Sequence, residues 1–419
     1  MAGGPRSDRV QTTDAPSDML HFGIDVLLED RSPLASARRV GLVTNHAART
    51  AGDVTRPSRV ALRDAGVPLV RLFGPEHGLS ATAADGASVA DGTDPLTGLP
   101  VVSLYGDRMR PPAEMLQDLD AVLFDIPDVG ARFYTYTWTL YHLVAACAAT
   151  GTRVLVCDRP NPLGGVCAEG PLLDPSCASF IGEEAIPVRH GLTHGELARL
   201  WQRERWPQLR LEVIPCRGWD ATRAWPATGL PWVPTSPAMP TFTSAIWYPG
   251  LCLFEATTCS VGRGTDAPFT CVAAPWLDPR AIQESVPEAA MYGARLEAAV
   301  ITPTQAPHAG VTCPAVRVVL DCEDDDSSAI ARYIATRTRP VALGLALLGA
   351  VQRVHADQFA WATYPTAANP SGADHFERLV GQRDLAGRVA GASPDTRSDW
   401  TAVPGWDDRA TSVFLYPRH

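Results

Sequence analysis

The reading of this chain turns on Val67-Pro-Leu-Val-Arg-Leu-Phe73 and the Gly74-Pro-Glu-His-Gly78 that follows it. The apolar run has the length and texture of a buried strand, and Gly74-Pro75 breaks chain direction at once. Glu76 and His77 then stand side by side. A strand that stops at Gly-Pro and presents two ionisable groups predicts a loop built to hold reactive chemistry. Three further strand patterns in the same half end alike. Val40–Thr44 runs into Asn45-His46, Leu119–Asp125 into Ile126-Pro-Asp-Val-Gly130, and Arg153–Cys157 into Asp158-Arg-Pro-Asn-Pro162.

Helical patterns separate these strands: Pro57 to Ala65, and Tyr136 to Thr150 with Gly151 as its C-cap. Continuous apolar strands alternating with helices predict an α/β fold with a mostly parallel sheet covered on both faces. In such sheets ligands bind at the carboxyl ends of the strands. Asn45, His46, Glu76, His77, Asp125, Asp128, Asp158, Arg159 and Asn161 are therefore expected to converge on one rim.

Trp225 to Phe269 changes texture to Pro, Gly, Ser, Thr and aromatic residues with little periodicity. Trp232, Phe242, Trp247 and Tyr248 argue that this long irregular stretch is ordered and functional. Beyond it, Ala315–Leu320 reads as a strand, and Ser327–Arg337, Val341–Val354 and Asp374–Ala390 read as helices. These make a second, smaller α+β unit. The expected boundaries are a disordered leader over 1–18, a first domain over 19–235 and an ancillary domain over 236–419.

A chain of 419 residues has room for two cores, and 46% hydrophobic with 20% charged residues is ordinary for a globular protein. A net charge of −10 with no basic, aromatic-interleaved stripe argues against a nucleic-acid partner. The longest apolar run, Pro340 to Val351, is too short for a membrane span, and the first twenty residues hold no signal-peptide core. Ten cysteines with no C-x-x-C pair or zinc spacing read as buried small hydrophobes in a reducing, cytoplasmic compartment. There is no G-x-G-x-x-G after the first strand, and no Walker A, G-x-S-x-G or H-E-x-x-H motif. No metal, nucleotide or other cofactor is expected, and oligomeric state is left open.

Glu76, beside Pro75 and backed by Phe73, reads either as a desolvated general acid or as a capping acid in a tight turn. His77 orients it or contacts substrate. Asp125 and Asp128 flank a sharp turn, so one faces the cleft while the other caps the next helix. Gly130-Ala-Arg-Phe-Tyr-Thr-Tyr136 adds Arg132 and Tyr134; charge, hydroxyl and flat ring together suit a sugar. Arg159 pairs with Asp158 or with a ligand. Arg263, in Gly262-Arg-Gly-Thr265, can approach an anionic substituent closely.

Six segments in order resemble the NamZ family of exo-β-N-acetylmuramidases. They are Phe73–Gly78, Phe124–Tyr136, Asp158–Gly165, Ile186-Pro-Val-Arg-His-Gly191, Gly195-Glu-Leu-Ala198 and Gly262–Thr265. The resemblance runs from about Phe22 to the end, through Phe376-Glu-Arg-Leu379. It implies a Rossmann-like domain and a smaller ancillary domain with the active site between them. It implies release of terminal β-linked N-acetylmuramic acid from peptidoglycan fragments, with Glu76 as the catalytic glutamate. The chain departs from the family pattern at Pro127, Ala238, Ala256, Thr258 and Val261.

On this reading Glu76, His77 and Asp125 are catalytic, with Asp158 the other candidate for second carboxylate. Asn45, His46, Asp128, Arg132, Tyr134, Asp158, Arg159, Asn161, Arg189, His190 and Arg263 bind substrate. Arg132, Arg159, Arg189 and Arg263 are the candidate cations for the lactyl carboxylate of muramic acid. Two alternatives stand beside this one: the same scaffold retuned for another amino sugar or a secondary-metabolite glycoside, and a non-catalytic sugar-binding homologue.

Overall fold

A computed structural model describes residues 19–392 and 399–418. The expected leader over 1–18 lies outside the described residues. The central strand β1, Val40–Thr44, is buried along its whole length. It is flanked by β2 (Leu69–Gly74) and β5 (Ala121–Asp125), with β6 (Arg153–Cys157) and β7 (Leu211–Ile214) beyond β5. On the other side β2 is followed by β4 (Pro100–Ser103) and the short edge strand β3 (Gly92–Thr93). Every pairing is parallel except β3 with β4. Thr44 lies opposite Asp125 and Gly74 opposite Ser103, so the loops after these strands leave one edge of the sheet.

Side-chain alternation along the strands builds two cores. Val43, Phe73, Val122, Phe124, Val154 and Val156 pack on one face with Trp138, Leu143, Leu197 and Trp201. The first two of these partners come from helix α4 (Tyr136–Thr150) and the others from α5 (His194–Glu204). Leu42, Leu72, Leu123 and Leu155 face the opposite way. There they meet Ile24 and Leu27 of α1 (Gly23–Glu29) and Leu62 of α2 (Ser58–Asp64). Helix α4 follows a four-residue α3 (Ala113–Leu116) and ends at Gly151, φ 75°.

The second unit carries an antiparallel sheet in the order β8 (Cys271–Ala273), β10 (Cys313–Leu320), β9 (Ala294–Ile301). Around it lie α6 (Phe242–Leu251), α7 (Pro279–Ser285), α8 (Ser327–Arg337), α9 (Pro340–Val354) and α10 (His375–Val380). Most of its apolar residues share one continuous cluster with a face of the large sheet, while Cys271, Ala273, Ile301, Cys313 and Ala315 form a small cluster of their own. No single helix among the described residues is long and apolar enough to cross a membrane. The apolar run of α9 is buried from Pro340 to Val351.

One helix is shorter than its pattern. The expected Asp374–Ala390 helix stops at Val380 because Gly381 takes φ 79°, a left-handed cap. A Cβ there would stand 2.5 Å from the Arg132 guanidinium, so the break also makes room for that side chain.

Helices α6 and α9 cross at glycines. A Cβ on Gly344 would lie 2.4 Å from the Gly250 carbonyl oxygen, and one on Gly250 would lie 1.8 Å from that of Pro340. Gly344→Ala should therefore cost about 1–3 kcal/mol and lower the melting temperature by several degrees. An unchanged melting curve would contradict this close crossing.

Candidate active site

Glu76 is held by the turn that ends β2. His77 adopts φ 64°, a left-handed conformation costing a non-glycine residue about 1 kcal/mol, and Gly78 follows at φ 72°. The His77 ring fixes this turn through Nδ1, 2.8 Å from the Ala83 carbonyl oxygen. A carbonyl can only accept, so Nδ1 carries hydrogen and Nε2 is left facing Asp85 at 4.0 Å. Glu76 is 5% exposed. Its Oε1 accepts from the Gly86 amide at 2.9 Å and its Oε2 from the Thr135 hydroxyl at 2.6 Å.

These groups open on a cleft of about 740 Å³ between the two units. From the first come Glu76, His77, Asp85, Tyr105, Tyr134 and Thr135; from the second come Tyr248, Glu255, Arg263, Tyr364, His375 and Arg378. Asp85 Oδ2 accepts from the Tyr364 phenol at 2.6 Å and lies 3.3 Å from Arg263 Nη2. Arg263 Nε donates to Glu255 Oε1. One guanidinium thus clamps two carboxylates.

The electrostatics divide the acids. Burial, reinforced by the negative charge of Asp85, pushes the Glu76 carboxyl upward against its hydrogen bonds. Burial acts the same way on Asp85, but the Arg263 charge and the Tyr364 hydroxyl outweigh it and hold Asp85 below the ordinary range. Burial, then the charge of Asp85, raises Glu255 despite Arg263. Burial takes His375 down to about 4, so this ring is neutral at neutral pH.

Of the residues expected in the site, Glu76, His77, Tyr134 and Arg263 meet in the cleft. The others are corrected by their partners. Asp125 is fully buried and bound twice by Arg159, at 2.6 and 3.1 Å; Arg159 also donates to the Arg49 carbonyl and lies over the Phe22 ring. That pair neutralises itself, so Asp125 is not the second carboxylate of the cleft. Asp158 accepts from Thr193, the Gly195 amide and Tyr416, which ties down α5 and the C-terminal segment; burial raises it to about 6. Asn161 accepts from the Leu163 amide and donates to the Leu192 carbonyl.

Arg132 is wholly buried and donates to the carbonyls of Pro171, Ile186 and Leu379. Arg189 donates to those of Thr338, Leu163 and Ala335. Both arginines pin the two units together and leave no donor face for substrate in the cleft. Asn45 accepts from the Ala47 amide, and His46 is exposed beside Arg49. Asp128 lies 3.3 Å from His190 and lines a separate cavity of about 450 Å³ with Phe22, Arg159, Trp225 and Trp232. That smaller cavity occupies the crossover between β1 and β5, where the sheet rule places a ligand. The larger cleft sits to one side, over the ends of β2 and β4, because the second unit closes against the sheet there.

The sequence assigned no site role to Asp85, Thr135, Glu255, Tyr364, His375 and Arg378, and marked Tyr248 only as one of the aromatics of an ordered, functional stretch. Asp85-Gly86 carried a turn signal within the loop after Glu76, but Tyr364 and His375 are far from it along the chain and carried none. Glu76, His77 and Asp85 each offer a ligand atom within 4.8 Å of the others, the one such trio among the described residues. The donor set would suit a divalent cation, which would compete with Arg263 for Asp85.

A two-unit α/β protein with a protonatable acid, an ionised partner and aromatic walls in its cleft has the layout of a glycoside hydrolase. Residues 40–243 match the family description "Exo-beta-N-acetylmuramidase NamZ, N-terminal" and residues 246–416 its C-terminal counterpart. The chain belongs to the NamZ family. It is 38% identical over 314 residues to the peptidoglycan beta-N-acetylmuramidase NamZ of Bacillus subtilis (strain 168), covering 75% of each chain. A DUF1343 family protein of Bacteroides fragilis NCTC 9343 superposes with a TM-score of 0.81 at 27% identity, over 96% of this chain and all of that one. A second from the same organism shares the fold, with a TM-score of 0.70 at 24% identity over 96% and 99%.

The opposed shifts of Glu76 and Asp85 set the expected pH profile. A group with a raised pKa keeps its proton to higher pH, so activity needing protonated Glu76 is lost as pH rises through that pKa. Activity needing ionised Asp85 is lost as pH falls through its depressed one. Removing the Asp85 charge with Asp85→Asn should move the alkaline limb to lower pH in a kcat/KM profile. An alkaline limb that stays in place would contradict the coupling.

Proposed function

We propose that this chain is an exo-acting glycoside hydrolase. It releases terminal β-linked N-acetylmuramic acid from the non-reducing end of peptidoglycan fragments. The observation carrying this reading is a buried carboxyl with a raised pKa in a sugar-sized cleft, beside a carboxylate held ionised. Glu76 protonates the departing glycosidic oxygen as positive charge develops on the ring. Asp85 takes the role first assigned to Asp125. In glycosidases roughly 5–5.5 Å between carboxyls accompanies retention, whereas about 6.5–9.5 Å leaves room for the water of inversion. Oxygens of Glu76 and Asp85 lie within 4.8 Å of each other, and on that closeness we assign retention. Asp85 then attacks the anomeric carbon or orients the substrate's own acetamido group for attack. Tyr134 and Tyr248 supply ring faces and His77 fixes the turn that carries the acid.

The retuned-scaffold reading keeps one observation in its favour. Of the five departures from the family pattern, Ala238 lines the cleft. Ala256 and Val261 lie in the core, and Pro127 lines the smaller cavity. We place the enzyme in the cytoplasm, acting on imported fragments; all ten cysteines being free supports a reducing compartment.

Glu76→Gln should leave the fold unchanged and lower kcat at least about 100-fold on a chromogenic β-N-acetylmuraminide. A near wild-type rate would refute the acid assignment. Wild-type enzyme should release the β-anomer first, followed by NMR of fresh product; initial α-anomer would exclude retention. Chelation by EDTA should leave the rate unchanged, and loss of activity restored by a divalent cation would make the acidic trio a metal site.

A further inference from the structure

N-acetylmuramic acid differs from N-acetylglucosamine by one substituent, the 3-O-lactyl ether, whose carboxylate is an anion at neutral pH. An enzyme that selects muramic acid needs a cation within its cleft that is not already paired. The structure removes each cation that the sequence offered. Arg132 and Arg189 are spent on carbonyl oxygens, Arg159 on Asp125, and Arg263 on Glu255 and Asp85.

Two arginines line the cleft, Arg263 and Arg378. The Arg378 guanidinium has no hydrogen bond or ion pair among the described residues. It stands on α10, whose Phe376, Leu379 and Val380 are buried in the core. The same helix is tied from below by Arg132, which donates to the Leu379 carbonyl at 2.8 Å. The backbone that presents Arg378 is therefore fixed, while the guanidinium itself is half-buried and uncommitted.

Charge balance points the same way. Arg263 is already shared by two carboxyl groups, Asp85 and Glu255, so it brings no unspent positive charge to an incoming carboxylate. Arg378 supplies one, and its planar fork matches a carboxylate with two parallel donors.

We propose that Arg378 recognises the lactyl carboxylate and is the residue that makes the cleft specific for muramic acid over glucosamine. This rests on the glycoside hydrolase reading above and deepens it. Arg132, which first stood as a substrate contact, becomes the residue that positions the helix bearing Arg378.

The test compares matched chromogenic β-N-acetylmuraminide and β-N-acetylglucosaminide with wild-type, Arg378→Gln and Arg378→Lys enzymes. Losing a charge-assisted pair should cost roughly 10- to 100-fold in kcat/KM on the muraminide, mainly through KM. The glucosaminide, which lacks the carboxylate, should be turned over by the Gln variant as by wild type. The Lys variant should recover part of the loss. Equal losses on both substrates, or no loss on either, would overturn the proposal. A wild-type enzyme inert on both glycosides would sink the hydrolase reading instead. Calorimetric titration of Glu76→Gln and Glu76→Gln/Arg378→Gln with N-acetylmuramic acid then still reads the discrimination, expected as a loss of affinity in the double variant and contradicted by equal affinities.

Discussion

Two carboxyl groups held this close together cannot both ionise cheaply, and the cleft is organised around that constraint. Glu76 and Asp85 approach within 4.8 Å. Arg263 and Tyr364 stabilise the charge on Asp85, and burial, with that charge, pushes the Glu76 carboxyl above its ordinary range. The two acids come from one loop of the sheet domain, whereas the groups that set them apart come from the second unit. Neither unit alone holds a competent pair, which accounts for a site at their junction.

Much of the remaining polar inventory is scaffolding. Arg132 and Arg189 sit wholly inside the protein and stitch carbonyls of the two units, while Asp125 with Arg159 and Asp158 with Tyr416 close the strand ends. A buried charge left without partners is costly, and each of these groups is held by two or more hydrogen bonds. The Arg378 guanidinium contrasts with them in having no hydrogen bond or ion pair among the described residues. Among the described residues the cleft is thereby furnished with an arginine that no carboxylate or carbonyl holds.

The sheet was legible because its strands are short, apolar and punctuated. The strand limits Val40–Thr44 and Arg153–Cys157, and the helix limits Tyr136–Thr150 closed by Gly151, match the structure. The Asp374–Ala390 helix was overread because periodicity does not reveal that Gly381 must turn left-handed over Arg132. The place of Glu76 at the cleft was legible from its Gly-Pro turn. Asp125 and Asp158 carried the same local signal as Glu76, and only tertiary partners separate a carboxyl that lines the cleft from one tied down beside it. Asp85, Glu255 and Tyr364 lie far apart along the chain, and no local pattern links them.

The account stands on the protonation order of the two neighbouring acids. NMR titration of carboxyl-labelled enzyme, assigned with Glu76→Gln and Asp85→Asn, measures that order directly. Glu76 should remain protonated over a pH range in which Asp85 is already ionised. Ionisation of Glu76 before Asp85 would contradict the account.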